Sequence, residues 1–273
     1  MVKFFIIFLL FCASLFANLQ EAIESFVSQK VYAKQENLIK VLFRDSNSFY
    51  KVSDGNVDSL KVIKTLEDNG LFKLFYDKPI SLTVKFVTKK NALIFMKVIS
   101  QSLESIGYNY FLTTRATKSD GKFVWIINLH TKHLINPTLF AKELSKHRCI
   151  VDNVSKDDTN SWIYEINSDN ARLEARNIDL DDTVKLKKPI EPYLIYTKNA
   201  VKVKFKTSFS DHWYPSIVFL DRALHVVSQT KIDERTYVLK LDIPPNSAYV
   251  KVRDIYSLDN IKHGLSVYLQ SKE

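Results

Sequence analysis

The stretch ISLTVKFVTKKNALIFMKVISQSLESIG, residues 80–107, changes its hydrophobic period halfway along. Ile80, Leu82, Val84 and Phe86 alternate with Ser81, Thr83 and Lys85, the period of two that marks a half-buried strand. Beyond Asn91 the spacing lengthens. Ala92, Phe95, Ile99, Leu103 and Ile106 recur three or four residues apart, with Lys97, Gln101 and Glu104 opposite, as on an amphipathic helix. Gly107 follows where a helix-ending glycine belongs. A strand running into a helix of this kind predicts a mixed α+β unit.

The pattern continues downstream. Residues 108–118 and 122–130 predict a hairpin around Ser119-Asp120-Gly121. Asn136-Pro137 predicts a helix start, with Asn as the cap and Pro at the first helical position; Phe140 and Leu144 point inward. Residues 149–154 and 162–167 predict further strands. This β-α-β-β-α-β order predicts a ferredoxin-like split βαβ domain over residues 79–167. Upstream, residues 18–78 predict a helical lead-in. Ile23, Val27, Val31, Leu38, Val41 and Leu42 form an imperfect stripe, and residues 58–69 predict a short helix with Leu60, Ile63 and Leu66 inward, closed by Gly70.

Residues 168–192 are charged, contain DLDD and end in Lys187-Lys188-Pro189 and Pro192, which predicts a linker. From residue 193 to 273 the chain is strand-rich. Seven candidates fall at 193–197, 201–206, 216–220, 224–230, 237–243, 249–255 and 265–270, with turns at short intervals. They predict an immunoglobulin-like or fibronectin-like β-sandwich.

At the other end, MVKFFIIFLLFCASLFA has the basic start, apolar run and small-residue close of a secretory signal peptide over residues 1–17, cleaved after Ala17. The run is shorter than the roughly 20 apolar residues of a membrane span. Acylation at Cys12 is the alternative, against which stands the bulky Phe11 before it. The expected location is periplasmic or secreted. Loss of residues 1–17 leaves Cys149 as the one cysteine and excludes an intramolecular disulfide. Cys149 begins an apolar run and is expected to be a buried small hydrophobe.

The net charge is +9. Residues 185–273 hold 15 Lys/Arg against 9 Asp/Glu, so the basic character belongs to the C-terminal part. Such a surface attracts anionic lipid or acidic wall polymers; export argues against nucleic acid. In 200–206 the lysines Lys202, Lys204 and Lys206 share one strand face, and Val201, Val203 and Phe205 share the other. A solvated, aggregation-deterring strand face explains these lysines. Lys185, Lys187, Lys188 and Lys198 could enlarge them into an anion-binding patch. Tyr249, Lys251 and Arg253 form a second candidate interaction surface, since Tyr and Arg favour interface hot spots.

The catalytic and metal patterns are weak. Ser210, Asp211 and His212 lie too close in sequence to converge as a triad, and no nucleophile elbow is present. His130 and His133 lack a third ligand. Asn177, Asp179 and Asp181 resemble the start of a calcium loop, but Asp182 and Lys188 stand where Gly and Glu belong. Five glycines in the chain build neither a P-loop nor a dinucleotide fingerprint. No catalytic residue, cofactor or metal is expected.

The leader, the Lys/Asn/Phe-rich composition and the segment SAYVKVRDIYSLDNI (residues 247–261) resemble exported proteins of Campylobacter- and Helicobacter-type bacteria. Some of that group are described as secreted proteins involved in flagellar motility. The resemblance carries no site residue. It implies an envelope machine such as the flagellar motor or a secretion assembly, with envelope proteins as partners. The expectation is therefore a non-enzymatic periplasmic interaction or scaffold protein. The alternatives are a binding module for an anionic envelope polymer or lipid, and an enzyme of unrecognised type.

Overall fold

The computed structural model describes residues 18–158 and 160–272. The leader expected over residues 1–17, its cleavage after Ala17 and the acylation alternative at Cys12 lie outside the described residues. The chain divides into two compact units, Met1–Ala171 and Arg172–Glu273, and the fold is α+β. No helix of the described residues is long and apolar enough to cross a membrane.

The N-terminal unit begins with three short helices, α1 (residues 18–26), α2 (Gln29–Lys34) and α3 (Glu36–Leu42). Leu19, Ile23, Phe26 and Val27 are buried, as are Ile39 and Phe43. The expected stripe is correct only at its start: Val31 and Leu38 are exposed, and Val41 is 70% exposed. A break between α1 and α2, where Ser28 caps α2 by accepting from Val31 N–H, and another at Gln35 reset the helical phase. A single period cannot run through them. Helix α4 (Ser59–Asp68) is capped by the Asp58 side chain and buries Val62, Ile63 and Leu66. Gly70 follows at φ +70°, and the Leu71 N–H reaches back to the Leu66 carbonyl. This left-handed stop is one that glycine adopts without a Cβ penalty.

The sheet of this unit contains β1 (Phe75–Thr88), β2 (Leu112–Ser119), β3 (Lys122–His133), β4 (Ile150–Asp158) and β5 (Ser161–Asn167), with α5 (Ala92–Ser105) and α6 (Pro137–Lys146) between strands. The β2–β3 turn places Asp120 and Gly121 both at positive φ, the geometry that matches the twist of a two-residue hairpin. Asn136 caps α6 by accepting from Leu139 N–H. Phe86 packs against Phe140 of α6 and Tyr164 of β5, and Phe95 of α5 meets Phe123 of β3. Trp162 is covered on the same side by Phe26 and Phe72. These helices therefore load one face of the sheet.

The sheet order is β2-β3-β1-β5-β4. β1 is antiparallel to β3 and parallel to β5. This departs from the expected split βαβ arrangement, in which the strand after the second helix lies antiparallel beside β1. Here that strand, β4, goes to the edge. It turns back as β5, which takes the place beside β1.

The C-terminal unit has two sheets, formed by β6 (Arg176–Asn177), β7 (Thr183–Lys185), β8 (Tyr193–Tyr196), β9 (Lys202–Lys206), β10 (Pro215–Leu220), β11 (Val226–Lys231), β12 (Val238–Asp242), β13 (Tyr249–Asp254) and β14 (Ser266–Gln270). The orders are β11-β10-β13-β8-β6 and β12-β9-β14-β7. Both sheets contribute to one buried core, with Ile195, Ile217, Phe219, Val250 and Val252 from the first and Val203, Phe205, Val267 and Leu269 from the second. The last two strands, β13 and β14, lie in opposite sheets, whereas the immunoglobulin arrangement keeps its final pair together.

Of the linker expected over residues 168–192, residues 172–192 belong to this second unit. β6 pairs with β8 and β7 with β14, and Ile178 and Leu186 are buried in its core. Charged residues crowd the outward positions and mask these sparse apolar anchors in the sequence.

Candidate functional site

The outer face of the four-stranded sheet is built in three rows. Across the first run Val238, Lys206, Ser266 and Lys185; across the second, Lys240, Lys204, Tyr268 and Thr183; across the third, Asp242, Lys202 and Gln270. Val203 and Phe205 point into the core, so the alternating pleat sends Lys202, Lys204 and Lys206 outward. Residues of β7, β9, β12 and β14 line a depression of about 810 Å³. Lys202, Lys204, Lys206 and Lys240 are among its lining residues, with Asp242 as the acidic one.

Among the described residues, the ion pairs include none made by Lys185, Lys202, Lys204, Lys206 or Lys240. Lys204 and Lys240 are register partners, and like charges directly opposite in adjacent strands repel. The nearby Asp181 is engaged elsewhere: its carboxylate accepts from Ser271 N–H and from the Tyr268 hydroxyl. Those hydrogen bonds, Ser271 foremost, hold Asp181 below the usual carboxylate range.

Two lysines from the expected patch are not free to join it. Lys188 pairs with Asp259 and Lys198 with Asp179, each at 2.9 Å. Lys185 does join, through β7. Lys240, which sequence reasoning missed, is supplied by β12; its own alternation with Leu239 and Leu241 was the available signal. The position of β9 also matters. It lies between β12 and β14, so edge protection does not account for its lysines.

Tyr249, Lys251 and Arg253 emerge on the outer face of the other sheet, because Val250 and Val252 fill the core between them. The two candidate surfaces thus lie on opposite sides of the unit. Tyr249 is only 3% exposed. Its hydroxyl accepts from Leu173 N–H and its ring packs near Tyr196. It is therefore not a contact residue, while Lys251 and Arg253 remain exposed.

The Ser210-Asp211-His212 corner is rearranged relative to its sequence. Asp211 Oδ1 lies 2.7 Å from Nδ1 of His263, not of His212. Ser210 Oγ sits 3.2 Å from that same nitrogen. A catalytic triad needs its carboxylate and nucleophile on opposite ring nitrogens, so no proton relay runs through His263 from Asp211 to Ser210. Asp211 Oδ2 is buried without a hydrogen-bond partner. Arg235 donates to the carbonyls of Phe209 and Asp211. Trp213 is buried and donates to the Arg253 carbonyl. These contacts fasten a turn over the end of the core.

The remaining candidates are dispersed. His130 and His133 both lie on β3, paired with Ser81 and Phe75. Among the described residues no group of three His, Cys, Asp or Glu side chains could hold a metal. Asp179 and Asp181 face Lys198 and Ser271 respectively, so they do not converge as a calcium loop would. Cys149 is a free, buried thiol, and burial pushes its pKa up to about 12, the opposite of what activates a nucleophile.

No family model matches the chain. No curated protein and no solved structure shows significant similarity to it.

Proposed function

We propose that the protein is a non-enzymatic interaction module of a bacterial envelope assembly, and that its C-terminal unit engages an anionic partner through the lysine face of β9 and β12. The observation that carries this reading is the direct opposition of Lys204 and Lys240, with no ion-pairing partner for either among the described residues. An interior strand has no edge to protect, and repulsion across it costs stability. An anionic partner turns that repulsion into attraction.

The leader-like segment at residues 1–17 supports a periplasmic or secreted location. In this reading the N-terminal unit is an elaborated split βαβ module and the C-terminal unit a variant of the immunoglobulin or fibronectin sandwich. Such a pair suits a scaffold within an envelope machine, including a motility or secretion assembly.

The test is sedimentation of the tagged protein with isolated cell envelopes. Wild-type protein is expected to co-sediment at low salt and to be released as salt screens the lysines. The K202Q/K204Q/K206Q variant, with its fold checked by circular dichroism, is expected to stay in the supernatant. Equal sedimentation of the two proteins sinks the proposal.

A further inference from the structure

We infer that the occupant of the lysine face is a linear phosphodiester polymer lying along β9. This inference rests on the reading of that face as an anion-binding surface, and names its ligand. Three features carry it.

The first is composition. The face presents Lys185, Lys202, Lys204, Lys206 and Lys240 against one acidic residue, Asp242 opposite Lys202, with one aromatic, Tyr268, and no arginine. Interfaces between proteins are depleted in lysine, and their hot spots favour Trp, Tyr and Arg. Lysine is a hydrated point charge without the planar fork that grips a carboxylate bidentately, yet it binds phosphate well. The chemistry is that of an unspecific grip on repeated single charges.

The second is spacing. Lys202, Lys204 and Lys206 stand two residues apart on an extended strand, roughly 6.7 Å from one to the next. Two residues of backbone contain six covalent bonds from Cα to Cα. A three-carbon diol phosphate also places six bonds between successive phosphorus atoms. An extended chain of that type advances one charge per lysine without stretching either partner. Lys240, opposite Lys204, adds a second contact at the middle of the track.

The third is shape. Lys202, Lys204, Lys206 and Lys240 line a depression, and Val238 is the one exposed large apolar residue in the rows of this face. A thin chain reaches such a floor, whereas a flat bilayer meets the rim and finds almost nothing to receive inserted apolar groups.

The experiment titrates the full chain into a fluorescent oligomer of 1,3-propanediol phosphate, which has the six-bond charge repeat and no bases. About four phosphate contacts predict a slope of log affinity against log salt near −3, or about a 50-fold loss between about 50 and 200 mM. K204Q is expected to reduce the slope by about 0.7. K202Q/K204Q/K206Q, with native tryptophan fluorescence, is expected to bind about tenfold or more weakly. K251Q/R253Q, on the opposite face, is expected to leave the titration unchanged.

Poly-L-glutamate, anionic phosphatidylglycerol vesicles and inorganic phosphate serve as competitors at equal charge. Weak competition by all three supports the phosphodiester track. Competition by glutamate, vesicles or free phosphate as strong as the unlabelled oligomer, and still dependent on the β9 lysines, overturns the ligand while leaving the anion-binding reading intact. If the triple variant weakens none of the four ligands, both fall together.

Discussion

Asp211 and His263 stand far apart in the chain, yet the buried carboxylate of one lies 2.7 Å from Nδ1 of the other. The pair ties the turn after β9 to the segment before β14. Asp211 is 2% exposed, so the His263 ring stands where solvent would otherwise meet its carboxylate. Removing one member of a buried pair leaves the other uncompensated. Because the His263 side chain is 46% exposed, His263→Ala is expected to destabilise the C-terminal unit by about 2–3 kcal/mol. Urea denaturation checks the value. A double-mutant cycle with Asp211→Asn should return a coupling of about 1 kcal/mol or more; independent effects would show that the contact is incidental.

Gly264 leads to a second prediction. Its φ is +81°, and a Cβ there would stand 1.9 Å from the Leu186 carbonyl oxygen. The clash is with backbone, which a rotamer change cannot relieve. Gly264→Ala should therefore cost about 3 kcal/mol or more. Gly55 also has a positive φ, +69°, but nothing lies within 4 Å of its added Cβ. Gly55→Ala is expected to cost only about 1 kcal/mol. Similar denaturation midpoints for the two variants would contradict the close approach at Gly264.

Alkaline pH supplies the third. Burial raises the Cys149 thiol from 9.0 to about 12 and, aided by the Asp211 charge, the Tyr193 phenol from 10.0 to about 12. In both cases the folded pKa exceeds the unfolded one. The stabilising contribution is complete below the unfolded value and is lost as pH climbs toward the folded one. Stability should thus decline between about pH 9 and 12. Cys149→Ala should flatten the thiol's part of that decline in the N-terminal unit, as urea midpoints taken across the range would show. In the native protein at neutral pH, a thiol reagent is expected to label Cys149 no faster than the unit opens. Rapid labelling of folded protein would count against its burial.

The fourth concerns the opposed lysines themselves. Without a ligand, Lys204→Gln removes the repulsion across β9 and β12 and should stabilise the protein by about 0.5 kcal/mol at low salt. The gain should shrink as ionic strength rises. A destabilised K204Q protein would mean that the lysine stem, not its charge, dominates at this position.

The strands of the C-terminal unit were legible because alternation is a local signal: Val203 and Phe205 against Lys202, Lys204 and Lys206 suffices to orient β9. What surrounds β9 was not legible. Its central place, and the arrival of Lys240 beside Lys204, depend on pairing between distant strands, which local alternation does not encode. The same limit hid β5 from its parallel place beside β1 and hid His263 as the partner of Asp211. Tyr249 shows a different gap. Alternation puts it on the side of β13 away from Val250 and Val252, but the segment at Leu173 that covers it lies in a charged stretch with the composition of a linker. In the lead-in helices, capping at Ser28 and the break at Gln35 overrode a stripe that periodicity alone would have continued.

The parallel pairing of β1 with β5 has a consequence for how the chain assembles itself. In synthesis order β3 precedes β5, so until residues 161–167 are made the border of β1 that pairs Val84 and Phe86 with Trp162 and Tyr164 has no partner from β5. That border is rich in Val and Phe, and an open strand border invites pairing with foreign chains. The last strand to be threaded in therefore acts as the closing stitch of the N-terminal unit. A chain cut short before residue 161 would expose the sticky middle of its own sheet, and the period before that stitch is drawn tight is when the nascent protein most needs shelter.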